Sequence, residues 1–348
     1  MLECVEIDGS MGEGGGQILR TSLSLAAITK CELSLKNIRA RREKPGLKRQ
    51  HLTCVSAVAE ICDAEVSDIT VGSRELEFAP RAIKAGDYRF DVGTAGSVTL
   101  VAQTIIPVLL KADGVSTVTI TGGTHVPFAP TWEFFELCYL PELRRMGAEV
   151  EAKLETPGFY PAAGGVVKLK IKPFDASRRV DSYEFMSLGD LKGGSVVGVV
   201  SALPRSIAEA EVGIVASKFR ELKLKHEVCE VESFGPGNYC YVQLDYDRAS
   251  VVISSIGTYN RSRKAVANDV VQRVNEFLKS AKACEKHLAD QLLVPLNVFV
   301  GGDYHWETDG LWEDNVWRPN WFVDTQQETQ HYKTNNEVID RFARRLRD

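Results

Sequence analysis

The sequence predicts an α+β fold assembled from a repeated βαβαββ module, on three observations. Apolar residues alternate in some runs and recur at helical spacing in others, in the order strand, helix, strand, helix, strand, strand. That order begins again at Tyr88. Each copy opens on a glycine-rich turn leading from a strand into an apolar helix: Gly12-Glu13-Gly14-Gly15-Gly16 in the first, Gly93-Thr94-Ala95-Gly96-Ser97 in the second. A sheet with one apolar face needs helices to cover it, so the copies are expected to pack around a common centre.

In the first copy a short apolar strand runs into the turn, and the spacing predicts a helix over 18–29 and a strand over 33–38. A basic loop follows. The face Leu52, Val55, Val58 and Ile61 predicts a helix over 51–62, and strands are expected over 66–70 and 75–78. The second copy reads as strand 88–92, helix 98–110, strand 117–121, helix 132–146 and strands 149–154 and 166–171, a period too long for a solenoid. From about Asp181 the pattern changes to strand 196–203, helix 207–222, strands over 228–232, 239–246 and 251–256, then helix 263–281. This reads as an inserted, smaller α/β domain. A third, partial copy resumes at His287-Leu288-Ala289-Asp290-Gln291, with an apolar strand to Val300 and a terminal helix over 335–346. The expected boundaries are 1–181 for repeats one and two, 182–280 for the insertion and 281–348 for the third repeat, as suits a chain of 348 residues.

The net charge of -5 argues against a protein that coats nucleic acid nonspecifically, while leaving room for a local basic site that reads one end. No apolar stretch reaches the ~18 residues of a membrane-spanning helix, and the chain opens on a strand rather than a leader, so no membrane partner and a cytoplasmic location are expected. The eight cysteines are scattered through apolar segments without a Cys-x-x-Cys pair and read as reduced, buried thiols.

The first turn, within Asp8 to Arg20, holds five glycines, one glutamate and one arginine. Glycines there let backbone N–H groups approach a ligand, and the helix N-terminus behind them favours an anion. The dinucleotide and P-loop spellings do not fit, because no Gly-Lys-Ser/Thr follows. Glu13 would repel a bare phosphate, so a phosphate guest implies a metal ion; the other reading is a tight turn with a surface glutamate. Between Arg39 and His51 lie six basic residues in thirteen, around Pro45-Gly46. Such a loop either wraps a phosphate with forked arginine donors or is a solvated face, and its place after the glycine turn favours the first reading for Arg39. Of six histidines, His226 reads as a surface residue, His305 lies in an unassigned loop and His125 sits in a Thr-His-Val-Pro turn. His287 precedes Asp290 and Gln291 on a helix, while His331 stands before the cap of the last helix, where an exposed imidazole acts as nucleophile or base. Residues 301–330 carry four of the five tryptophans among acidic residues, as a stacking platform or as a loop folded onto its own domain.

Taken together, Gly12 to Arg20, Lys44-Pro45-Gly46 with Gln50-His51, Gly93 to Ser97, His287 to Gln291 and His331-Tyr332-Lys333-Thr334-Asn335 closely resemble the RNA 3'-terminal phosphate cyclase family over nearly the whole chain. The resemblance implies three βαβαββ repeats of the initiation-factor-3 C-terminal kind with a domain inserted between the second and third. It implies a ligase using ATP: His331 attacks the α-phosphorus, AMP passes to an RNA 3'-phosphate to give RNA-pp-A, and the ribose 2'-OH displaces AMP to leave a 2',3'-cyclic phosphate. By the same resemblance Glu13 holds Mg2+ or Mn2+, Arg20, Arg39, Gln50 and His51 clamp the RNA terminal phosphate, and Gln103, Pro130, His287, Asp290 and Gln291 line the adenosine pocket. RNA 3'-phosphate ends are the implied partner, with a homodimer as a candidate assembly.

The chain departs from the family in three places. Its Pro-x-Gly-Gly-Gly signature appears as Pro161-Ala162-Ala163-Gly164-Gly165, the apolar residue expected near Ser254 for adenine packing is absent, and 303–328 reads as an insertion before the histidine. The main rival is a noncatalytic cyclase-like factor of ribosomal RNA processing that lacks the nucleophilic histidine; His331 and Glu13 argue against it. A carboxyvinyl transferase shares a similar module but lacks the basic loop, and a plain RNA-binding module sits poorly with the acidic balance.

Overall fold

The computed structural model describes residues 4–12, 14–280, 282–300, 304–306, 311–313, 316–318, 337–343 and 345–346. Three sheets of four strands, each covered by helices, give a mixed α+β architecture. The first contains β1 (Cys4–Asp8), β2 (Glu32–Lys36), β3 (Glu65–Val66) and β4 (Leu76–Ala79) in the order β1-β2-β4-β3. The second contains β5 (Asp87–Asp91), β6 (Ser116–Gly122), β7 (Val150–Thr156) and β8 (Gly165–Ile171) in the order β5-β6-β8-β7. The two share one topology: the first two strands run parallel, and the later pair joins antiparallel. A parallel pair needs a crossover, which α1 (Gly16–Thr29) and α3 (Val98–Leu109) provide.

Between β2 and β3 lies α2 (Arg49–Cys62), and α1, α2 and α3 pack on one another. Most of α3 is buried, with apolar residues on nearly every side, as expected of a helix enclosed between layers. The expected helix over 132–146 forms as α4 (Trp132–Phe134), a π turn over Phe135–Tyr139 and α5 (Leu140–Arg145). The turn widens just before Pro141, whose ring nitrogen has no proton to donate to the ladder.

The third sheet runs β11-β10-β12-β13, from β10 (Leu191–Ser201), β11 (Lys225–Glu230), β12 (Gly237–Tyr246) and β13 (Ser250–Ile256). Helices α6 (Ser206–Lys218) and α7 (Arg263–Ser280) pack on it and on each other. Strand β10 starts five residues before its expected Val196, because Leu191–Gly194 also pairs with β12 across a register shift that the Gly193-Gly194 pair hides from alternation. Short β9 (Tyr183–Phe185) pairs in parallel with β14 (Tyr304–Trp306), and β15 (Leu311–Glu313) pairs with β16 (Val316–Arg318).

Two expectations are corrected. The run to Val300 is not a strand: it is helix α8 (Lys286–Phe299). Its buried residues Leu288, Ala289, Leu292, Leu293, Leu296 and Phe299 recur at helical spacing, and Glu285 caps it by accepting from the His287 and Leu288 N–H groups at 2.9 and 3.1 Å. A continuous apolar run such as Leu292-Leu293-Val294-Pro295-Leu296 does not distinguish a buried helix from a strand by periodicity. Not every cysteine is buried either, since Cys4 faces outward from the edge strand β1 while its neighbour Val5 faces the core. All eight thiols are free. Residues 337–343 are helical, within the expected terminal helix. One continuous apolar cluster runs from the first two sheets through α1, α3 and α8 to the third sheet.

Candidate functional site

The β1–α1 turn folds on itself before it reaches the helix. Asp8 accepts the Ser10 N–H at 2.9 Å and the Asn37 Nδ2 at 3.1 Å; these hydrogen bonds, the Ser10 one foremost, hold its carboxyl below the usual range. Gly12 and Gly14 take left-handed φ values of 54° and 59°, which a side chain disfavours. Helix α1 then starts at Gly16, and no described side chain caps it. A helix start without a side-chain cap leaves N–H donors that an anion can satisfy.

Why glycine stands at 16 is visible in three dimensions. A Cβ there would lie 2.3 Å from His51 Nε2 and 3.2 Å from Arg20 Nη1. His51 is buried, and its Nδ1 accepts the Lys48 N–H at 3.0 Å, so its proton sits on Nε2, facing the start of α1. Burial first, then Arg20, Arg39 and Lys48, push its pKa down to about 3, and the ring is neutral. His51 offers a neutral N–H donor, not a cation.

The basic loop is tied to the glycine turn by Arg41, whose Nη1 donates to Gly12 O at 2.7 Å and whose side chain covers Gly14. Arg39 is buried at a φ of 54°, and its Nη1 holds the loop's own Lys44 and Gly46 carbonyls at 2.8 and 2.7 Å. Gln50 reaches the other way: its Oε1 accepts the Ser97 N–H at 2.8 Å, joining α2 to the second glycine turn.

Arg20 faces a cleft between α1, α3, α8 and the π turn. Gln17, Arg20, Thr21 and Ser24 line it from α1, Gln103 and Thr104 from α3, Tyr139 from the π turn, and Asp290 and Gln291 from α8. Arg20 donates to Gln17 Oε1, and Gln103 Nε2 donates to Gln291 Oε1 across the cleft. Pro130 is held at the first turn of α3, where its carbonyl accepts Thr99 Oγ1 at 2.8 Å, one helical turn from Gln103. His287, half exposed, lies one turn before Asp290 and Gln291 on α8. The fold thus lines one cleft with Arg20, Gln103, Asp290 and Gln291 and sets His51 beside Arg20 at the start of α1, while Arg39 binds its own loop and Gln50 the second glycine turn. Glu13 and His331 lie outside the described residues.

A family described as RNA 3'-terminal phosphate cyclase matches residues 11–346. The chain is 41% identical over 302 residues to the RNA 3'-terminal phosphate cyclase of Ectopseudomonas mendocina, covering 86% of each chain. It is 37% identical over 349 residues to that of Koribacter versatilis, covering 98% of this chain and 90% of the relative, and 40% identical to that of Salmonella enteritidis over 296 residues. The chain belongs to the RNA 3'-terminal phosphate cyclase family. Relatives of that name are ligase-class enzymes.

The cyclase family's signature glycine that this chain replaces is Ala163, and Ala163 holds a φ of 63°. The backbone keeps the left-handed turn that a glycine there would adopt freely. Several cleft residues were missed from the sequence. Gln17, Thr21 and Ser24 stand with Arg20 at helical spacing, a polar stripe on an otherwise buried helix that the sequence does display. Tyr139 gives no such signal, because the π turn sets its direction.

Proposed function

We propose that this chain converts an RNA 3'-terminal phosphate to a 2',3'-cyclic phosphodiester in an ATP-dependent reaction through enzyme-histidine-AMP and RNA-pp-A intermediates. The observation that carries the reading is the cleft in which Arg20 meets Gln103, Asp290 and Gln291 beside the uncapped start of α1. Adenosine fits the α3–α8 side, through the amides of Gln103 and Gln291, with Pro130, tied to α3 through Thr99, and His287, one turn earlier on α8, as its proposed further contacts. The RNA phosphate fits the α1 end, where Arg20 supplies charge and His51 a neutral donor. The tandem matters chemically, since both phosphates must approach one another for AMP transfer.

His331 is the proposed nucleophile. Its unprotonated nitrogen attacks the α-phosphorus, pyrophosphate leaves, the RNA 3'-phosphate takes AMP, and the 2'-OH closes the ring and expels AMP. Among the described residues no three His, Cys, Asp or Glu side chains gather as a metal site. A divalent cation would instead be held by Glu13 together with the ATP phosphates, the usual mode for Mg2+, and would supply neutralisation of phosphate charge. The proposed division of the chain keeps 1–181 and 281–348 as the main body, with 182–280 inserted. No described helix is long and apolar enough to cross a membrane.

Incubation with ATP labelled on its α-phosphate is expected to leave AMP on the protein, stable to base and labile to acid, and His331→Ala abolishes it. Undiminished labelling of that variant removes His331 from the role. No labelling of the wild-type chain, with RNA binding intact, turns the reading to the noncatalytic cyclase-like factor.

A further inference from the structure

The loop from β6 to α4 is closed by a buried network that the reaction above does not use. His125 is fully buried, and its Nε2 lies 3.0 and 3.2 Å from the two Glu133 carboxylate oxygens, eight residues further along. Tyr239 on β12 donates its hydroxyl proton to Glu133 Oε1 at 2.6 Å. Thr124 Oγ1 lies 2.7 Å from His125 Nδ1 and accepts the Gly158 N–H at 2.8 Å. The His125 ring stacks on Tyr239, centroids 4.2 Å apart, with Phe159 at 5.5 Å.

Glu133 is nearly buried, and burial opposes its ionisation. The His125 and Tyr239 bonds outweigh that and hold its carboxyl below the usual range. The charge is thus anchored from two sheets at once: His125 follows the second sheet, and Tyr239 belongs to the third.

What this closes is the stretch between them. Within it, Phe128 is wholly exposed at a φ of 63°, a conformation that an aromatic residue adopts only when its surroundings impose it. Two residues later Pro130 is tied to α3 through Thr99, and Thr131 Oγ1 meets Ser254 Oγ of β13 at 3.4 Å. Ser254 is the position where an apolar residue was expected to pack on adenine. At Ser254 the loop meets β13 through a hydroxyl contact.

We propose that His125, Glu133 and Tyr239 are positioning residues that set the loop carrying Pro130 as one wall of the nucleotide site, so that the third sheet determines affinity for ATP. The proposal rests on the adenosine assignment above. The network touches no reacting atom, and its effect passes through Pro130. A hydroxyl bonded to an ionised carboxylate contributes enough to shift loop populations severalfold.

Tyr239→Phe tests it, because the ring keeps its stack on His125 and only the bond to Glu133 is lost. The KM for ATP is expected to rise about three- to tenfold, with kcat and the KM for a 3'-phosphorylated RNA unchanged. His125→Gln, which keeps a donor toward Glu133, is expected to restore most of the ATP affinity that His125→Ala loses. An unchanged ATP KM in folded Tyr239→Phe, or equal losses in both His125 variants, overturns the proposal. So does a fall in kcat alone. A wild-type chain that binds no ATP overturns the adenosine reading itself, and this ligand assignment with it, before any variant is compared.

Discussion

At the turn between β5 and α3 the backbone donors are consumed by the protein. The N–H groups of Gly93, Gly96 and Ser97 go to Asp91 Oδ1, Thr94 Oγ1 and Gln50 Oε1 at 2.9, 3.3 and 2.8 Å. Those of Val98 and Leu100 go to Gly123 O and Ser97 Oγ at 2.9 and 3.2 Å. At the topologically equivalent turn between β1 and α1, the helix starts at Gly16 without a described side-chain cap, facing Arg20 and His51. Among the described residues, the strand–turn–helix unit is thus capped by side chains at the second turn and not at the first. An open helix start beside a cation and a neutral N–H suits the proposed phosphate, whereas a plugged one serves as a joint. Gln50 and His51, adjacent in sequence on α2, serve one turn each.

The largest expected effect separates the two turns by their glycines. Gly16→Ala drives a methyl group against His51 Nε2 and is expected to lower affinity for the RNA 3'-phosphate about five- to 150-fold, since buried overpacking costs ~1–3 kcal/mol. Gly96→Ala meets Val92 and the Gln50 side chain instead, at 2.7 and 2.9 Å. It is expected to destabilise the fold by a similar ~1–3 kcal/mol while the folded fraction keeps its RNA affinity. Equal loss of RNA affinity in both would break the comparison.

A middle-sized effect is set by pH. His51 is held to about 3 when folded and returns to about 6.5 when unfolded, so the unfolded chain takes up a proton that the folded chain refuses. The stability this histidine contributes is present above pH 6.5 and is lost as pH falls from there toward 3. Urea midpoints measured across that window are expected to decline less steeply for His51→Gln than for the wild type; parallel slopes would place the proton elsewhere. The smallest effect is Ser97→Ala. Loss of this cap is expected to cost ~1 kcal/mol in urea unfolding, with unchanged RNA affinity. A marked loss of RNA affinity would mean that the second turn is not merely a joint.

Much of this was legible in the chain itself. Alternation gave the strands of the first two sheets to within a few residues, and the glycine turns marked where two helices begin. The polar stripe Gln17, Arg20, Thr21 and Ser24 was equally open to reading and was passed over. Where reading failed, a local rule was overridden. A continuous apolar run concealed the helical period of α8, and helical spacing over 132–146 does not display the π turn that aims Tyr139 into the cleft. Arg39 keeps its place in the expected phosphate clamp; what its charge does not display is that Nη1 also holds the backbone of its own loop.

The sequence by itself determined the family and the order of elements in the first two sheets, because periodicity and glycine placement act over a few neighbouring residues. Only the tertiary structure decided which turn stays open. It placed a buried, neutral His51 against Gly16, turned Gln50 to plug the second turn, and set Gln103 against Gln291, a pair 188 residues apart. Contacts of that range depend on how sheets and helices stack, and burial in that stack determines whether a given side chain is a charge, a donor or a strut.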